Sequence, residues 1–400
     1  MRASTPRLGR NVYALTVVSF LTDVSSEMIY PLLPAFLTTM LGASASFVGA
    51  IEGAAESTAA LLKLASGWWS DRVRQRKPLV VAGYVIASLM RPLVALARTA
   101  SQVLFIRVSD RVGKGIRNSP RDALVADSVD PAIRGRAFGF HRSGDNAGGV
   151  VGPLIAFALL NWRHVDLRTV FWWAALPGAL AVATVIFGVR EVPKQRPAAA
   201  GTGPTLDLSQ PLGAQFWTVL GVILLFTLGN STDAFLLLRA QQLGVPIALA
   251  PILWACLHVV KTASGTPGGI LSDRLGRKPL LVAGWLLYAL VYLAFGLAWT
   301  GWQAWALFAV YGVFFGLTEG TERALVADLV SPERRGTAFG WYNLTIGIGA
   351  LPASIVFGEL WDRYGSRTAF DFGAMMALAA ALGMFAIRLR RRGVSSGSAA

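Results

Sequence analysis

Cysteine is nearly missing from this chain: among 400 residues only Cys256 is one, so no disulfide can close within it. Histidine is almost as scarce. His141, His164 and His258 are the only three, and no two of them, nor any with Cys256, stand at ligand spacing, so no metal site is expected. Motifs for bond-making chemistry are lacking too. There is no His-Glu-x-x-His, no Gly-x-Ser-x-Gly, no phosphate-binding loop and no dinucleotide fingerprint, which argues against an enzyme, a nucleotide-driven pump and any bound cofactor. Charge is short as well: 15% of residues, where a soluble domain has about a quarter.

What fills the space is apolar. Hydrophobic residues make up 54% of the chain and the mean hydropathy is +0.52, the composition of a polytopic membrane protein. A span needs roughly 20 mostly apolar residues, and twelve such runs are present. The net charge of +15 would suggest nucleic acid in a soluble protein. Here the bases cluster in short loops between apolar runs, as the positive-inside rule requires, so no nucleic-acid partner is expected. The first run, from Asn11 to Leu37, has no small-residue cleavage site after it and reads as a retained span.

The stretch from Arg107 to Asp127 organises the rest. Arg107, Asp110, Arg111, Lys114, Arg117 and Arg121 recur at spacings of three and four, which places them on one helical face. Such a stripe is costly in hydrocarbon and must point at a water-filled cavity or at acids on neighbouring helices. The stretch ends in Ala-Leu-Val-Ala-Asp, and the same pentapeptide returns at Ala324 to Asp328. Ser70-Asp71-Arg72 likewise returns as Ser272-Asp273-Arg274, Lys77-Pro78 as Lys278-Pro279, and Arg134-Gly135 with Ala137-Phe-Gly139 as Arg335-Gly336 with Ala338-Phe-Gly340. One half of the chain repeats the other.

In order, the spans fall near 11–37, 47–69, 79–97, the charged stretch, 137–160, 169–189, 214–238, 246–271, 279–299, 303–327, 337–360 and 369–390. The Pro/Gly/Ala-rich segment after Arg190 reads as a linker. The expected domains are a first six-helix bundle over 1–190, a cytoplasmic linker over 191–211, a second bundle over 212–392 and a disordered tail over 393–400. Basic loops and the basic C-terminal run place both termini in the cytoplasm. Trp68, Trp69, Trp162, Trp172, Trp173, Trp302, Trp305 and Trp361, near span ends, fit an interfacial belt.

Two parallel six-span halves resemble the major facilitator superfamily, in which two pseudo-symmetric bundles rock around a central site. Gly269-Ile-Leu-Ser272-Asp273-Arg274-Leu-Gly276-Arg277-Lys278 is similar to that family's loop signature, and the first-half copy, with Gly67, Asp71 and Arg72, carries Arg74 where the signature has glycine. Leu104-Phe-Ile-Arg107 resembles the span-4 arginine motif. Asp145 precedes Gly148-x-x-x-Gly152-Pro153, which resembles the span-5 motif of the drug and proton antiporter branches.

The resemblance implies an all-α fold of twelve transmembrane helices, with spans 1, 4, 7 and 10 lining the pathway. That would gather Asp23, Glu27, Arg107, Asp110, Arg111, Lys114, Arg117, Asp233, Arg239, Glu319, Glu322 and Arg323 around one route, with an acid-to-base pair between spans 1 and 4. Asp71 and Asp273 are expected to control conformation by docking on a helix N-terminus in one state. Glu27 and Asp110 are the expected proton carriers, while Glu52 and Glu56 on span 2 fit a solvated gate as well as a site. The expectation is a monomeric secondary transporter of the inner membrane, exchanging a small solute outward for protons within the lipid bilayer. The alternative is uptake or facilitated transport of a small organic anion.

Overall fold

The computed structural model describes residues 8–73, 75–130, 133–192, 212–331 and 334–388. These form twelve long helices: α1 (Arg10–Met40), α2 (Ala45–Arg72), α3 (Lys77–Leu96), α4 (Ala100–Asp127), α5 (Arg134–Trp162) and α6 (Leu167–Gly188) in the first half. The second half holds α7 (Ala214–Gln242), α8 (Ile247–Leu275), α9 (Arg277–Leu297), α10 (Gly301–Asp328), α11 (Arg335–Tyr364) and α12 (Ser366–Ala386). Eight of them are long and apolar enough to cross a bilayer by length and composition alone. The other four, α2, α4, α5 and α10, hold most of the intramembrane charge. Most of the linker expected over 191–211, and the whole of the tail over 393–400, lie outside the described residues.

The internal repeat is visible at the helix starts. Thr99 and Gln102 form a capping box at the head of α4, and at the head of α10 Gln303 Oε1 accepts from the backbone N–H groups of Trp299 at 2.9 Å and Thr300 at 3.1 Å, as Gln102 Oε1 does from Arg98 and Thr99. Between α5 and α6, Asp166 caps the helix by accepting from the backbone N–H of Thr169 at 3.0 Å, and the hydrogen bonds from Thr169 hold its carboxyl below the ordinary range. Gly276, between α8 and α9, has φ +95°, a backbone that side chains rarely adopt, which explains the glycine of the loop signature at that turn.

Two helices that line the space between the halves, α1 and α7, are broken midway. In α1 the regular helix ends at Ile29 and tightens through Tyr30–Leu32, around Pro31, before resuming. α7 was expected to be continuous over 214–238 but unwinds from Asn230 to Thr232 and restarts at Ala234. Irregular backbone at that depth is sustained only where it faces protein or a wet cavity.

Within the first half α1 packs on α5 and α6, and α4 on α2 and α3; within the second, α8 packs on α10, and α9 on α10 and α12. The most extensive packing between the halves is of α2 on α11 and of α5 on α8, and α1 also meets α7 and α8. The end bearing the heads of α1 and α7 is here the terminal end, and the opposite one the distal end. Asn11 meets Arg190 at the terminal end, and Gln215 meets Arg388.

Matched ionic clips bind the loops there. Arg76 pairs with Asp127, and its repeat mate Arg277 with Asp328 at 3.4 Å and with Asp273. Lys77 Nζ donates to Ile186 O at 2.7 Å, while Lys278 Nζ donates to Phe385 O at 2.8 Å and Ile387 O at 2.7 Å. Each lysine thereby caps the last turn of the final helix in its bundle.

At the distal end the halves close on each other. Met28, Leu33 and Phe36 of α1 share one apolar cluster with Phe235 and Leu237 of α7. Asp362 at the end of α11 accepts from the backbone N–H groups of Ala45 at 3.0 Å and Ser46 at 2.8 Å, the first residues of α2. A carboxylate on a helix N-terminus is stabilised both by the hydrogen bonds and by the helix dipole.

Candidate functional site: a charged cavity between the bundles

A cavity of about 410 Å³ lies between the two halves, at the level of the breaks in α1 and α7. Its first-bundle wall carries Asp23 and Glu27 from α1, Glu52 and Glu56 from α2, Arg91 from α3, and Arg111, Lys114 and Arg117 from α4. The second bundle adds Asn230 to Asp233 from the unwound part of α7, Trp254 and His258 from α8, and Phe315 and Glu322 from α10. Of the residues anticipated around the pathway, Asp23, Glu27, Arg111, Lys114, Arg117, Asp233 and Glu322 thus converge.

The charged stripe of α4 divides. Arg107 does not line the cavity: it turns to α2, where Nε and Nη2 donate to the two carboxylate oxygens of Glu52 at 2.8 and 2.7 Å. Asp110 turns to α3 and receives Arg91 Nε at 2.9 Å, with Arg107 Nη1 3.7 Å away. All four residues are buried. The expected pair between spans 1 and 4 is therefore corrected: among the described residues Arg107 finds its acid on α2 and Asp110 finds its base on α3. Asp110, expected on the pathway, does not line the cavity: held between two guanidinium groups, it joins α4 to its neighbours.

Other anticipated residues stand elsewhere. Arg239 sits at the distal end, bonded to the carbonyls of Phe295 at 3.0 Å and Ala298 at 2.7 Å. Glu319 and Arg323 line a second cavity of about 670 Å³ toward the terminal end, together with Arg142, Asp145 and Lys261. There Glu319 joins the bundles, taking Arg142 of α5 and Lys261 of α8, the latter at 3.0 Å. Trp361, expected in an interfacial belt, is buried against Phe235 and Phe370.

Among the loop positions, Arg72 Nη1 donates to Trp68 O at 3.1 Å and its guanidinium stacks 3.7 Å from the Trp68 ring. Among the described residues Asp273 pairs with Arg277, and a carboxylate that docks on a helix N-terminus from the opposite bundle is Asp362. The side chain of Asp71 lies outside the described residues, Arg274 is exposed, and Gly67 and Gly269 have room for a side chain.

The glycines of α5 explain how α1 reaches the cavity in register. A Cβ on Gly148 would lie 2.6 Å from Phe20 O and 2.8 Å from the Cβ of Asp23. One on Gly152 would lie 2.6 Å from Val24 O and 3.0 Å from the Cβ of Glu27. The motif thus seats α1 against α5 at the two acidic positions, with Pro153 following within the helix. Glu27 in turn crosses to the other bundle, its Oε2 accepting from Trp254 Nε1 at 2.7 Å. Tyr30 packs on the same indole at 4.9 Å between ring centres. On the far wall Asp233 accepts from Tyr311 OH at 2.7 Å.

The family model described as Major Facilitator Superfamily matches residues 15–260 and 240–400. The chain belongs to the major facilitator superfamily. A relative described as an uncharacterised major-facilitator-type transporter of Methanocaldococcus jannaschii is 32% identical over 382 residues, covering 94% of each chain. More distantly, the multidrug resistance protein MdtH of Salmonella arizonae is 23% identical over 355 residues, 88% of this chain and 86% of that one. The crystal structure of a bacterial homologue of the human lysosomal transporter Spinster, inward-facing and occupied, superposes with a TM-score of 0.77 at 19% identity, over 95% of this chain and 97% of that one. This major facilitator is accordingly a multi-pass membrane protein and a secondary transporter of a small molecule, not an enzyme, built as two pseudo-symmetric bundles.

Arg91, Glu52 and Glu56 gained little weight from the sequence. An arginine inside the apolar run 79–97 was the available signal for the first, since intramembrane charge is functional by default.

Proposed function

We propose that the protein exports a small solute in exchange for protons, the central cavity opening alternately to the two faces of the inner membrane. The bundles span 1–190 and 212–392, both termini lie in the cytoplasm, and the transporting unit is the monomer. On that orientation the cavity at the terminal end is the cytoplasmic vestibule. The observation that carries the reading is Glu27: its side chain lines the cavity, its Cβ packs on Gly152 of the span-5 motif and its carboxylate hydrogen-bonds across the bundle gap to Trp254. A proton on Glu27 removes the charge assistance from that bond, so protonation and the pose of the bundles act on the same group. Asp23, which lines the cavity and makes no ion pair among the described residues, is its partner in the relay. The direction of transport rests on the resemblance of the Asp145, Gly148, Gly152 and Pro153 segment to antiporter motifs and on the similarity to a multidrug resistance protein.

The second reading, uptake or facilitation of an organic anion, is favoured by the bases Arg111, Lys114 and Arg117 on the cavity wall. Everted vesicles separate the two. A growth screen of a deletion strain supplies the solute, and an imposed proton gradient should then load it into vesicles made with the wild-type protein. Glu27→Gln should abolish that loading while the purified variant stays folded. Full gradient-driven loading by the variant would remove Glu27 from the mechanism, and loading in the opposite sense would remove export.

A further inference from the structure

Among the described residues, every lysine or arginine that lines the central cavity outside an ion pair sits on one helix. Arg111, Lys114 and Arg117 of α4 have no carboxylate within salt-bridge distance among the described residues, whereas Arg91 is taken by Asp110. Arg117 is 3% exposed, its guanidinium lies 4.4 Å from the Tyr84 ring centre, and its Nε and Nη1 have no hydrogen-bond partner. The Nε of Arg111 has none either. Buried arginine N–H groups are ordinarily answered, so these donors are open to a negatively charged acceptor.

The facing wall has the opposite character. The second bundle contributes Asp233 and Glu322 to the lining and no lysine or arginine. Unwinding of α7 puts Asp233 beside the oxygens of Asn230 and Thr232, so the ligand meets acceptors there. Over the whole lining, the carboxylates outside ion pairs (Asp23, Glu27, Glu56, Asp233 and Glu322) outnumber the unpaired bases. A purely anionic solute would add negative charge to an acid-rich cavity. A purely cationic one would leave the α4 wall unanswered.

We infer that the transported solute is a small zwitterion, its acidic group seated on Arg111, Lys114 and Arg117 and its ammonium group on Asp233 and Glu322. A cavity of about 410 Å³ suits a compact metabolite. The inference deepens the transporter reading and rests on it.

The test is a matched series of six-carbon chains offered to the full-length protein in lipid nanodiscs at neutral pH: ε-aminocaproate, adipate, hexamethylenediamine and hexanediol. Binding is read from thermal protection and calorimetry. The zwitterion should bind about tenfold tighter than each of the other three, the worth of one charge-assisted hydrogen bond. Lys114→Gln and Arg111→Gln should each weaken the zwitterion about tenfold and move the preference toward the diamine, and Asp233→Asn should move it toward adipate. Variants that merely loosen the fold would lower all four together. Equal or tighter binding of adipate or the diamine by the wild-type protein, or binding of none of the four, overturns the inference. If the diamine or adipate is preferred and vesicles still exchange it for protons through Glu27, the charge class alone has failed. If none binds and Glu27→Gln also leaves export unchanged, the transporter mechanism has failed with it.

Discussion

At the scale of single residues, the buried network of Glu52, Arg91, Arg107 and Asp110 governs how α4 is held. Removing one partner of a buried pair strands a charge and typically costs about 3–5 kcal/mol, whereas replacing both with apolar groups is often neutral. Glu52→Leu alone should therefore lower the thermal midpoint of the purified protein sharply. Combining it with Arg107→Met should recover most of the loss, and equal damage in the single and double variants would show that the pair is not the cause. The sequence marked α4 as charged but could not assign its partners. Arg107 and Arg111 are only about 40° apart around a helix. That is enough for one to reach α2 and the other the cavity, and the choice depends on where helices distant in sequence come to lie.

At the scale of helices, the fit of α5 on α1 sets the position of Asp23 and Glu27. Gly148→Leu would drive a side chain into the Phe20 carbonyl. It should lower stability by about 1–3 kcal/mol as overpacking does, and suppress transport even where folded protein is recovered, with Gly148→Ala between it and the wild type. Thermal melts and vesicle flux measured side by side check it; wild-type flux in Gly148→Leu would detach the motif from the site. Helix positions were legible, because apolar runs are local signals. The break in α7 had a local signal too: Gly229-Asn-Ser-Thr-Asp233 is a turn-forming run. It was outweighed by the apolar residues on either side, because a periodicity argument averages over the few residues that line the cavity.

At the scale of the whole molecule, the twofold repeat was legible from the recurrence of Ala-Leu-Val-Ala-Asp and of the basic loops, but the pose of one bundle against the other was not. That pose depends on contacts such as Asp362 with the head of α2, separated by more than three hundred residues. Two hydrogen bonds to a carboxylate are worth enough to shift a two-state equilibrium about tenfold or more. With Cys256 replaced and a cysteine placed at Ser354 in the cavity lining, Asp362→Ala should speed labelling by an impermeant maleimide from the distal side by about that factor. An unchanged rate would show that the apolar cluster alone keeps that side shut.

Because the acceptor on α11 grips main-chain amides, the identities of Ala45 and Ser46 are nearly irrelevant to the lock, and no exchange of side chains on α2 can compensate for losing Asp362. Proline is the exception. In the first turn of a helix it is ordinarily harmless, since its missing N–H would be idle there. Here that amide is employed, so Ala45→Pro should leave α2 intact and still reproduce part of the Asp362→Ala labelling, a substitution silent for folding that unfastens the distal door.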